Sequence, residues 1–299
     1  MKSTAFFHLM LVGCWLSPTQ AQSPHSFWAH PLWNDGQAEL AIYQAQEVRY
    51  GTPQPTQVLS ILVSERFSGQ ELVKADDWRA EGSYPVIKWN DALHITTGSY
   101  VYQQMFSSFR RLDRWQNATP WLVKMSVTSN DSCGNSFHLG ERLPSEQWRS
   151  RSWTYWEGMS ETEERHELAG DAVFYEELPL LARQLVFDHL QHDGPIEGNW
   201  SVGPQAITSR SLRPVFKPAV WRMAKTDDTW QVIFTREGQG EDKLIVQAGW
   251  PHLLLGWHKA DGGSRILEHA LRLPYWEYQQ PGDLDRALAT ESYRLYPAP

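Results

Sequence analysis

The residues of this chain whose types and spacing could do chemistry lie between positions 129 and 138, Ser129-Asn130-Asp131-Ser132-Cys133-Gly134-Asn135-Ser136-Phe137-His138. A cysteine acts as a nucleophile when a base stands within hydrogen-bond reach and the thiol pKa is lowered. Here His138 follows Cys133 closely and Asp131 could orient an imidazole. Groups that are neighbours on one strand or turn seldom form a dyad, and no flanking signature of a thiol hydrolase surrounds them. The competing reading is a buried cysteine behaving as a small hydrophobe.

Other chemistry is thinner. His189 and His192 are spaced to share a helix face and could hold a transition metal, but no third ligand is visible, and histidines at a helix end also interact favourably with its dipole. The adjacent acids Glu163-Glu164, Glu176-Glu177 and Asp227-Asp228 point to opposite sides of any strand, whereas acid–base work needs carboxyls that converge across a cleft. There is no phosphate loop, GxSxG elbow or HExxH pair. No cofactor is expected.

Aromatic residues are the strongest compositional feature, with 16 tryptophans. Read as a strand, Gln147–Gly158 puts Trp148, Ser150, Ser152, Thr154 and Trp156 on one face and Arg149, Arg151, Trp153 and Tyr155 on the other. A second cluster, Tyr275, Trp276 and Tyr278, precedes Pro281-Gly282-Asp283 and suggests a closing rim. Large rings can stack on sugars or line an acyl-chain groove. They can equally fill a wide β core.

The elements that must position these residues are mostly strands. Alternation in Gln37–Tyr50, the Gly51–Pro55 turn and Thr56–Phe67 predict a hairpin. Val86–Thr97, Tyr100–Phe109, Trp121–Ser129 and Gln147–Gly158 follow as strands, with Ser160–Glu167 an exposed acidic turn or strand end. After the connector, Ala219–Ala224, Thr229–Arg236, Lys243–Ala248, Leu253–Lys259 and Arg265–Leu273 read as a second series. Phe174, Leu178, Leu181 and Leu185 give the one helical pattern, over Asp171–Gln191, ordered from about Pro179 because proline suits a first turn. The expected fold is mainly β, a large curved antiparallel sheet or open barrel with one short amphipathic helix packed on it. Residues 22–299 form a single β-rich domain in this reading, with two sheet halves joined near 194–218 as an alternative.

The first 21 residues read as an export signal, with Lys2, an apolar run and Ser17-Pro18 before a cut after Ala21. Leu11-Val12-Gly13-Cys14 offers an alternative, a lipoprotein signal in which Cys14 is lipidated and attaches the protein to a membrane. Either route leads to a periplasmic or outer-membrane location. Loss or lipidation of Cys14 leaves Cys133 without a partner in the chain, so no internal disulfide framework is expected. A net charge of -8 with no basic block argues against nucleic acid.

The blocks Trp33–Glu39, Arg49-Tyr50-Gly51, Val63–Ser68, Ser129–Gly134 and Leu273–Trp276 with Pro281-Gly282-Asp283 resemble a group of uncharacterised exported bacterial proteins commonly labelled septum formation inhibitor Maf. The label does not fit their chemistry, since true Maf proteins are cytoplasmic nucleotide pyrophosphatases. In that group the cysteine sits in a Trp-Cys-Gly-His context, whereas Ser132 and Asn135 flank Cys133-Gly134 here, so the group's histidine is missing. The resemblance implies a fold similar to open-barrel envelope lipoproteins. The expectation is a non-enzymatic envelope protein that binds a lipid, glycan or partner protein in an aromatic-lined concavity. Two alternatives stand beside it, an envelope hydrolase or thiol enzyme centred on Cys133, and a structural subunit of an envelope complex.

Overall fold

The computed structural model describes residues 27–112, 122–132, 134–158, 160–203 and 216–290. The leader, Cys14 and Cys133 lie outside the described residues. The first half is an eight-strand antiparallel meander, β1 (Ala38–Arg49), β2 (Thr52–Ser68), β3 (Ser83–Thr96), β4 (Val101–Arg111), β5 (Leu122–Asn130), β6 (Asn135–Arg142), β7 (Trp148–Thr154) and β8 (Glu161–His166). A short strand β9 (Ala172–Val173), a 3₁₀ turn at Tyr175–Glu177 and helix α1 (Leu178–His192) lead to the second half. That half comprises β10 (Glu197–Val202), β11 (Lys217–Thr226), β12 (Thr229–Arg236), β13 (Gly240–Gln247), β14 (Leu254–His258) and β15 (Ser264–Leu273), followed by helix α2 (Asp283–Thr290).

All fifteen strands belong to one sheet, because β15 pairs with β1 and joins the two meanders. Every pairing is antiparallel except β9 with β10. The covalent passage from β9 to β10 runs through α1, and the described part of residues 194–218 contains β10 and the start of β11. Its Gly, Pro and Ser content reads as a linker, but Gly198 sits in a strand because the Trp221 ring covers it too closely for any side chain.

Strands β8 and β9 are the two edges of the sheet, yet only residues 167–171 separate them. That link reaches about 20 Å when fully extended. Fifteen strands laid flat at about 4.8 Å spacing would put the edges about 67 Å apart. The sheet therefore curls until its edges approach, with α1 inside. Residues Leu178–Val186 of α1 are all buried, and they pack with Tyr43, Leu62, Trp89, Leu93, Phe106 and Trp148 from the first half and Trp221, Val232, Phe234, Leu244 and Trp257 from the second. Pro179 does occupy the first turn, and the polar part of the helix is its last turn, Asp188–His192.

Local chemistry explains the β1–β2 hairpin. Arg49 pairs with Thr52 across Tyr50 and Gly51, both at positive φ (53° and 75°), the two-residue turn that suits strand twist. The turn is thus tighter than Gly51–Pro55, and Pro53 and Pro55 lie within β2. They are tolerated because β3 pairs with β2 only from Val58 onward, so their missing N–H groups face no neighbour.

The helical pattern in Asp171–Gln191 is not the sole one. Helix α2 lays Leu284, Ala287 and Leu288 on the outer face of the sheet against Leu40, Val63, Leu271 and Leu273. Eight residues are too few for a clear period to stand out. No described helix is long and apolar enough to cross a membrane.

Candidate functional site

The Asp131–His138 stretch builds a turn and a strand. The Asp131 carboxylate accepts from Gly134 N at 2.9 Å, and Asp131 N donates to Gly134 O at 3.2 Å, closing the β5–β6 hairpin. His138 lies on β6 opposite Val127 and Ser152, on the inner face. It is three residues into the strand, about 10 Å from the turn at the usual rise. The arrangement gives Asp131 a turn-closing role and does not aim it at His138. Cys133 itself is outside the described residues.

Beside that turn, the structure brings Trp153 and Tyr155 together. Both face outward from β7, while Trp148, Ser152 and Thr154 face inward and are buried. Trp153 is 37% exposed and Tyr155 70% exposed. Phe137 pairs with Trp153 across β6 and β7, and their rings stack at 5.6 Å with a 25° angle. A groove of about 520 Å³ runs over the ends of these strands, lined by Thr128, Asn130, Gly134, Asn135, Ser136, Phe137, Trp153, Thr154 and Tyr155. Three aromatic rings, three hydroxyls and two carboxamides make up its side chains, and none is charged.

Gly134 is required for this shape. A Cβ there would fall 2.5 Å from the Tyr155 ring, so only glycine lets the ring lie across the turn. Tyr155 N donates to Asn135 O at 3.1 Å and fixes the chain where β7 ends. The Arg151 guanidinium stands 5.6 Å from the Trp153 ring centre and binds the buried Glu141 at 2.8 Å. Arg149 and Lys124 also face Glu141, and although burial raises its pKa these cations hold the carboxyl below its ordinary value.

The other aromatic cluster lies elsewhere. Tyr275 packs with α2 on the outer face near β1 and β15, and Trp276 and Tyr278 are partly exposed beside it. Six strands separate β15 from β7 in the sheet, so the two clusters do not form one rim. Nor do the histidines at the end of α1 converge on a metal. His189 Nδ1 lies 2.8 Å from Gly194 O with its ring against Trp230, and the His192 ring packs on Phe187. Among the described residues, no three His, Cys, Asp or Glu side chains are grouped to hold an ion.

The interior holds ionic structure that sequence spacing did not reveal. Arg183 of α1 is fully buried, donates to both carboxylate oxygens of Glu39 at 2.7 and 3.0 Å and to Pro251 O at 3.0 Å, and is walled by Phe27, Trp28 and Trp33. Lys259 donates to both oxygens of Glu47 at 2.6 and 2.7 Å, and Arg265 donates to Asp91 at 2.5 Å. Burial lowers the Lys259 pKa with Glu47 opposing, while Lys259 and Arg265 together hold Glu47 below its ordinary value despite its burial. Tyr175, Arg236 and Trp257 satisfy Asp242 in the same region. Glu47, Asp91, Glu176, Lys259 and Arg265 surround a void of about 20 Å³, room for about one water molecule. Glu47, Asp91, Lys259 and Arg265 are spent on each other, which makes the network a fastener between the two meanders, while Arg183 with Glu39 ties α1 to β1.

No protein-family model, curated protein or solved structure matches the chain.

Proposed function

We propose that this is a non-enzymatic exported cell-envelope protein that binds a glycan in the groove beside Trp153 and Tyr155. The observation that carries the proposal is the pairing of exposed rings with uncharged hydroxyl and carboxamide groups on one open groove. Rings offer flat apolar faces for the C–H side of a sugar, and amides and hydroxyls complement its hydroxyls. A lipid fits less well, because α1 and the inward-facing tryptophans occupy the inside of the sheet and leave no acyl-chain cavity there among the described residues. The leader-like start and the resemblance to exported bacterial proteins support the location. Lipidation at Cys14 remains the proposed alternative to simple release.

Native mass spectrometry of the protein purified from its own envelope tests this. The expected result is a bound species whose mass is a multiple of sugar residues, lost in Trp153→Ala. A bound acyl lipid, or no adduct together with no affinity for envelope glycans, contradicts the proposal.

A further inference from the structure

The groove rests on two outward-facing rows of side chains. Thr128, Phe137 and Trp153 form one row across β5, β6 and β7. Asn130 and Asn135, directly opposite each other on β5 and β6, form the next row with Tyr155, whose N–H donates to Asn135 O at 3.1 Å. The rows stand about 7 Å apart along the strands, and all six residues line the groove. Asn130, Asn135 and Tyr155 are exposed, and neither carboxamide side chain bonds to another described residue. The Asp131–Gly134 turn closes the hairpin between them, so a fixed backbone presents two open carboxamides and one ring.

We infer that the groove selects a glycan bearing acetamido groups, with one sugar ring on Trp153, the acetamido N–H and C=O held between Asn130 and Asn135, and the methyl against Tyr155. The inference rests on the glycan reading and narrows it to N-acetylated sugars. The N–H and C=O of a trans amide point in opposite directions, so an acetamido group needs an acceptor on one side and a donor on the other. Each carboxamide offers both functions. Cross-strand partners hold their Cβ atoms about 5 Å apart, and carboxamides leaning away from each other leave the width of an amide between them. An acetamido arm extends about 4 Å from its ring by ordinary bond lengths, and a hydrogen bond adds about 3 Å. Together they span the distance from the Trp153 row to the asparagine row. No lining side chain is charged, so an acidic sugar or a deacetylated, cationic one gains no partner in the groove.

The test is isothermal titration of the full mature protein with chitotetraose, with cellotetraose, which has hydroxyls in place of the acetamido groups, and with the fully deacetylated glucosamine tetramer. Chitotetraose is expected to bind about tenfold or more tighter than either, the scale of one to two hydrogen bonds. Asn135→Ala and the isosteric Asn135→Asp should each bring chitotetraose down to the cellotetraose level, with cellotetraose affinity and the thermal midpoint unchanged. Trp153→Ala should abolish binding of all three. Equal or weaker binding of chitotetraose, or a preference that persists when Asn130 and Asn135 are both changed to Ala, overturns the inference and leaves the glycan reading standing if binding still depends on Trp153. Binding of none of the three sugars by the wild-type protein overturns the glycan reading and this inference with it.

Discussion

Aromatic residues serve two different ends in this molecule, one inside the curl and one on the β5–β7 groove. Inside, Trp28, Trp89, Trp148 and Trp257 are almost wholly buried around α1, and cations such as Arg183 and Arg265 lie against their faces. On the groove, Trp153 and Tyr155 keep much of their area in solvent beside neutral polar groups, with Arg151 the one cation placed against Trp153 among the described residues. The same residue types thus stabilise where their partners are fixed and remain available for binding where they are not. On strand β7 the two roles alternate residue by residue, Trp148 inward and Trp153 outward.

The sharpest way to break the interior is Arg183→Ala. It leaves Glu39 buried without its bidentate partner, a change that typically costs about 3–5 kcal/mol, and urea unfolding should show that loss with groove binding retained in the folded fraction.

Acid should come next. Burial lowers the His252 pKa to about 4, below its ordinary 6.5, so the stability held by the neutral ring is complete above pH 6.5 and lost as pH falls toward 4. The loss is about 2–3 kcal/mol at most by linkage. Asp188 acts in the opposite sense, since burial raises its pKa to about 6 from 3.8 and the fold gains as pH drops through that window. Urea melts at pH 7 and 4.5 should therefore show His252→Asn more acid-resistant than wild type and Asp188→Asn less so.

A smaller effect is expected from Gly140→Ala. Its Cβ would meet the Trp148 ring at 2.2 Å, and overpacking of this kind costs about 1–3 kcal/mol, readable as a lower thermal midpoint. The smallest stability effect belongs to the groove. Trp153→Ala should change stability by less than about 1 kcal/mol, as expected where a side chain is partly solvated, while removing ligand binding. Trp276→Ala, in the cluster six strands away, should change neither.

Much of this was legible from the sequence because strands declare themselves by local alternation. The pairing of β1 with β2, though not its tight turn at Tyr50–Gly51, the shared face of Arg149, Arg151, Trp153 and Tyr155, though not its outward direction, and Pro179 in the first turn of α1 follow from neighbours in the chain. Strand β6 escaped notice because Gly140, Glu141 and Arg142 look like loop residues, although Trp148 covers the glycine and Glu141 is buried beneath three cations. The ionic fasteners were illegible for a different reason. Glu39 meets Arg183 and Glu47 meets Lys259 only because β1 closes on β15 and α1 enters the curl, contacts between residues 144 and 212 positions apart. In the groove, the aromatic signal came from β7 alone, whereas the polar lining arrives from β5 and β6 across the register. His138 stood out by type, but its inward place opposite Val127 and Ser152 is a product of strand pairing.

Hydrogen–deuterium exchange with and without saturating chitotetraose, a glycan probe of the groove, tests most directly the claim that the groove binds and the interior only holds the fold together. The account predicts slower exchange in residues 128–138 and 152–156, with α1 and the strands around Arg183 unchanged. Protection centred on α1, or on Tyr275–Tyr278 with none at Trp153, would contradict it.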